Sequence, residues 1–67
     1  MVGRVRYVID TIIETRAGGN QIIANTTRAK LMLKGVHVDR YTRTSEDPPE
    51  EIAKIEAIAA ELGISLN

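Results

Sequence analysis

Nearly every large side chain that could form a core in this sequence is aliphatic. Nine isoleucines, seven alanines, five valines and four leucines stand beside only two tyrosines, and Phe, Trp and Cys are absent from the 67 residues. A chain of this length buries too little apolar surface to fold with a comfortable margin, and such a core rarely supplies more than about 3–5 kcal/mol of net stability. Without cysteine there is neither a disulfide framework nor a thiolate metal site to reinforce it. What remains is close helix packing, with thin contacts at alanine, or self-association.

Hydrophobic spacing divides the chain into three periodic segments. Val5, Val8, Ile9, Ile12 and Ile13 recur at three-and-four spacing, with Arg4, Asp10, Thr11, Glu14 and Thr15 on the other side, which predicts a helix over about 3–17. The β-branched content of the same stretch suits a strand, so a β-hairpin turning at Gly18-Gly19, in an α+β fold, is the alternative. Its alternation is poor because Ile12 and Ile13 are adjacent. Glycine at the stop and Asn20 as an N-cap then open a second helix over about 21–34, with Ile22, Thr26, Ala29 and Leu33 on one stripe and Ile23, Leu31 and Met32 beside it. Gly35 closes it, and residues 35–46 read as a loop. The third helix is expected over about 48–62. Asp47 is its expected N-cap, Pro48 and Pro49 fall in a first turn that needs no amide donor, and Glu50 is the reciprocal partner of a capping box. Ile52, Ile55, Ile58, Ala59 and Leu62 form its apolar stripe. The expectation is an all-α fold, a compact three-helix bundle, with residues 1–67 as one small helical domain.

The end of the third segment, IAAELGIS, resembles the first helix and turn of the DNA-binding helix-turn-helix family through Ile58, Ala59, Leu62, Gly63 and Ile64. That family continues into a second helix that enters the major groove, and a two-turn helix takes about 7–8 more residues. Only Ser65, Leu66 and Asn67 follow, so a complete helix-turn-helix requires a natural chain that continues past Asn67. Within the chain itself the same residues form a helix terminator, Gly63 left-handed and Ile64 folded back on the last turn.

Zero net charge conceals a segregation. Residues 1–43 hold eight basic side chains against three acids, and residues 44–67 hold Lys54 against six acids. Charge segregated in this way marks either a binding face or attraction between segments. Acids at the start of the third helix and Lys30 and Lys34 at the end of the second follow the helix dipole, whereas Arg4 and Arg6 oppose it at the start of the first. Arg6-Tyr7 and Arg40-Tyr41-Thr42-Arg43 put guanidinium groups beside rings, chemistry suited to phosphate contact and base stacking. With Arg4 and Arg28 these residues are the candidate nucleic-acid or phosphate contacts, although arginine over tyrosine is also common on ordinary protein surfaces.

No apolar run approaches the ~20 residues of a membrane span and the N-terminus lacks the apolar region of a signal peptide, so a cytoplasmic location without membrane contact is expected. The acceptor pattern Asn25-Thr26-Thr27 has meaning only in a secreted chain. His37 and Asp39 stand two apart with no further ligand or nucleophile at useful spacing, and Gly18-Gly19-Asn20 lacks the rest of a phosphate loop. Catalytic residues, cofactor and metal are therefore not expected. Leu31, Met32 and Leu33 are consecutive, about 100° apart on a helix, and cannot all face one core. The expected function is a small non-enzymatic interaction module that binds itself or a protein partner through an aliphatic helical face, with Leu31 and Met32 as partner-binding residues. The alternative is an accessory protein that binds nucleic acid weakly through Arg4, Arg6, Tyr7, Arg28, Arg40, Tyr41 and Arg43.

Overall fold

The burial of one uninterrupted isoleucine-valine stripe organises the molecule. A computed structural model describes residues 2–66 and contains helices α1 (Arg4–Ala17), α2 (Gln21–Leu33) and α3 (Pro49–Glu61). The fold is all-α with three helices. Among the described residues the only extended pairing is an isolated bridge between Val2 and Glu46, and Gly18-Gly19 joins two helices rather than two strands. β-branched residues cost a few tenths of a kcal/mol each in a helix. Val5, Val8, Ile9, Ile12 and Ile13 are all buried in α1, and full burial of one such side chain is worth about 1.5–3 kcal/mol. Burial therefore overrides propensity, and the hairpin loses.

α1 is the central element. It packs against both α2 and α3, whereas no Cα of α2 lies within 8 Å of a Cα of α3. The same core is completed by the connection between them, which buries Val36, Val38 and Tyr41, and by Ile64 after α3. From α3 come Ile55, Ile58 and Ala59, with Ile52 and Leu62 partly buried at the edges.

The turns explain how short connections hold these helices. Asn20 caps α2, its side-chain oxygen accepting from the amides of Ile22 at 2.9 Å and Ile23 at 3.2 Å. At the far end of α3 the Ile64 amide donates to the Ala59 carbonyl and the Gly63 amide to that of Ala60. With Gly63 at φ +73° and Ile64 buried, this is a Schellman stop with its hydrophobic contact. The terminator expected at IAAELGIS is what the chain forms.

The start of α3 differs from expectation. Its N-cap position is Pro48 and no side chain bonds its first amides, so neither the Asp47 cap nor the Asp47–Glu50 capping box exists. The Asp47 carboxylate instead accepts from the backbone amide of Arg4 at 2.5 Å, 43 residues away in sequence. Two local facts produce this. Gly3, the N-cap position of α1, has no side chain to cap with. The Gly3 amide also donates to the Ser45 carbonyl, which with the Val2–Glu46 bridge sets Asp47 against the first turn of α1. The neighbouring backbone passes so close that a Cβ on Gly3 would overlap the Arg43 carbonyl oxygen, and Gly3 sits at φ +75°.

α2 is also oriented differently from the sequence reading. Its inward face is Ala24, Thr27 and Leu31, with Thr27 satisfied by a 2.8 Å bond to the Ile23 carbonyl. The expected inward stripe of Ile22, Thr26, Ala29 and Leu33 faces out. The choice is made at the helix end. The Val36 amide donates to the Leu31 carbonyl and the Gly35 amide to that of Met32, a second Schellman stop, which brings the residue after Gly35 back beside the third residue from the helix end. Burying Leu31 therefore brings Val36 into the core with it.

Candidate interaction surface

Two regions bear the side chains that the sequence singles out. The first is the end of the molecule where α1 begins beside the loop that precedes α3. Arg4 is held by Glu56, through Nε at 3.0 Å and Nη2 at 2.9 Å, while its guanidinium carbon lies 5.3 Å from the centre of the Tyr7 ring. Arg6 pairs with Asp10 at 3.1 Å and donates to the Val38 carbonyl at 3.2 Å. Arg28 reaches Asp39 at 3.4 Å. Tyr41 is only 6% exposed and belongs to the core, so it offers no face for a base to stack on. Arg40 and Arg43 have no ion-pair partner among the described residues. Arg43 shares a shallow groove with Gly3, Tyr7, Thr11, Asp10 and Glu14, where two carboxylates offset it.

These contacts also account for the arginines that oppose the dipole of α1. The Asp47 carboxylate lies at the helix start and supplies the negative charge favoured there, and both guanidinium groups are committed to acids. The charge segregation along the chain works partly as attraction between segments, through Arg4–Glu56 and through Lys34–Glu61 at 3.7 Å. His37 and Asp39 are exposed, and among the described residues no group of three His, Cys, Asp or Glu side chains is arranged to hold a metal.

The second region is the outward face of α2. Leu31, expected at a partner surface, is 1% exposed and packs in the core; its neighbours Met32 and Leu33 are 55% and 88% exposed. The three consecutive residues thus divide as helix geometry requires. Ile22 at 76% and the partly covered Ile23 extend the exposed apolar surface to the first turn of the same helix. Thr26 and Ala29, both exposed, lie between Ile22 and Leu33 at spacings of four, three and four residues and complete a stripe down the helix. Spacing alone identifies this stripe but not its direction: Ile22, Thr26, Ala29 and Leu33, expected inward, face out, and of Leu31 and Met32, expected outward, only Met32 does. The signal that distinguishes the two faces is the Gly35-Val36 pair, because its Schellman stop ties Val36 to Leu31. No helix of the described residues is long and apolar enough to cross a membrane. Comparison with protein-family models, with curated proteins and with solved structures finds no match to this chain.

Proposed function

We propose that this protein is a non-enzymatic interaction module whose working surface is the outward face of α2, which docks an apolar helical surface of a protein partner. One observation carries the reading. Of the six large hydrophobic side chains that are exposed among the described residues, Ile22, Ile23, Met32 and Leu33 belong to α2, and Val2 and Tyr7 lie elsewhere. Single exposed hydrophobic residues are ordinary, but here Ile22 and Leu33 stand on one stripe with Thr26 and Ala29 between them, and Ile23 and Met32 flank that stripe on opposite sides. Methionine at its edge suits a contact that adapts to its partner. Weak nucleic-acid binding has less support, because Tyr41 is buried and Arg4, Arg6 and Arg28 are engaged by acids.

A photo-crosslinking amino acid at Thr26, compared with one at the exposed Thr15 of α1, tests the surface in cells that make the protein. Adducts should form from position 26, not from position 15, and should disappear when Leu33→Glu is added. Equal adduct formation from both positions, or none from position 26, would overturn the proposal.

A further inference from the structure

The outward stripe of α2 is close to palindromic. Around a midpoint between Thr27 and Arg28, Ile22 is balanced by Leu33 and Thr26 by Ala29, a large aliphatic residue at each end and a small one on each side of the centre. All four are exposed. Resting on the reading of this face as a docking surface, we infer that its occupant is a second copy of this chain, whose α2 lies antiparallel to the first about a two-fold axis at that midpoint. A two-fold contact must be self-complementary, each residue meeting another from the same patch. The antiparallel arrangement satisfies this twice over. Ile22 packs on Leu33 of the partner subunit at both ends, and Thr26 and Ala29 sit at the axis, where small side chains let the two helices approach closely.

The flanks of the stripe are consistent with the same axis. A two-fold axis perpendicular to both helices keeps each flank against its own counterpart. On one flank Ile23 meets the partner's Lys30, whose methylene stem covers apolar surface while its ammonium stays in water. On the other, Asn25 meets the partner's Met32. The helix dipoles select against the parallel alternative, in which both would point the same way, whereas in the antiparallel pair they oppose. Arg28, near the midpoint, is turned aside to Asp39. A contact one 13-residue helix long, about 20 Å, lies at the small end of specific interfaces. A dissociation constant on the order of micromolar is therefore expected.

The absence of cysteine from the chain allows single thiols to read the geometry. Ala29→Cys lies close to the axis and should form a self-disulfide under mild oxidation. Two Ile22→Cys side chains would stand about 16 Å apart along the helices, beyond the ~4.4–6.8 Å Cα separation that a disulfide spans, and should not. Ile22→Cys mixed with Leu33→Cys should give the crosslinked heterodimer. Sedimentation equilibrium of the unsubstituted protein should show a monomer–dimer equilibrium that Leu33→Glu shifts to monomer without loss of helical circular dichroism. Efficient self-crosslinking of Ile22→Cys would overturn the antiparallel axis, and species growing beyond the dimer would overturn a closed two-fold contact. A monomer up to millimolar concentration would overturn self-pairing. In that last case photo-adducts from Thr26 with a mass other than twice that of the chain leave the docking surface standing, whereas their absence removes both.

Discussion

α1 and α2 are neighbouring helices of similar length with opposite fates for their apolar residues. In α1 the large aliphatic side chains form one stripe and all are buried. In α2 they stand around most of the circumference, and of Ile22, Ile23, Leu31, Met32 and Leu33 only Leu31 is buried. Periodicity thus establishes that a segment is helical, but chooses an inward face only where apolar residues keep to one side. Where two stripes compete, a contact outside the helix decides. For α2 that contact is the link from Leu31 to Val36.

The largest expected effect breaks this comparison directly. Ile12→Ala leaves a cavity in a fully buried site and should cost about 2–5 kcal/mol, comparable to the whole stability of a core this small. Leu33→Ala, equally drastic on the wheel of a neighbouring helix, should change the stability of the dilute protein by less than about 0.5 kcal/mol, as surface substitutions do. Urea unfolding of both variants at concentrations well below the expected micromolar dissociation constant, where the chain is monomeric, measures the difference. Equal losses would mean that the outward stripe of α2 is covered within the monomer.

How α1 begins gives the next effect. Gly3→Ala forces a side chain into a left-handed backbone conformation and onto the Arg43 carbonyl. A residue held in such strain costs about 1–3 kcal/mol, so a clear loss in the urea midpoint is expected. Gly18→Ala, also at positive φ but with open space around the new methyl group, should cost less. If the two cost the same, backbone conformation alone would explain both and the close passage of the loop over Gly3 would have no energetic weight.

What the sequence made legible follows the same division between local and distant causes. The stripes of α1 and α3, the Asn20 cap and the Gly63 stop are each complete within a few residues, so spacing and residue type suffice to find them. Three features depend on segments far apart in the chain: the burial of Tyr41, the commitment of Arg4 to Glu56 and the destination of the Asp47 carboxylate. The inward turn of Leu31 has a nearby signal, the Gly35-Val36 stop, but it lies outside the helix whose periodicity it decides. The Arg/Tyr patch was assembled from neighbours in sequence, and the fold separates them, sending Tyr41 inward while Arg40 stays exposed. The fold sets the start of α1 beside the loop before α3. Asp47 and Glu56 come with it, and the spacing of α3 alone does not show that they reach α1.

The smallest effect concerns how the two helices start, since α2 is capped by its own Asn20 and α1 by the distant Asp47. Asn20→Ala and Asp47→Ala should each cost about 0.5–2 kcal/mol, so total stability will not tell them apart, whereas amide exchange will. Loss of Asn20 should expose the amides of Ile22 and Ile23, which its side chain accepts from, and leave the remainder of the chain protected. Loss of Asp47 should speed exchange at Arg4 in α1 while the first turn of α3, which receives no side-chain cap, is unaffected. Because Asp47 also holds the loop against α1, the backbone bond from Gly3 to Ser45 should open with it, and the amide of Gly3 should exchange faster in the same variant. If Asp47→Ala instead accelerates exchange at Glu50 to Ile52, Asp47 caps its own helix α3 in solution, and the start of α1, whose N-cap position is Gly3, is left without a side-chain cap.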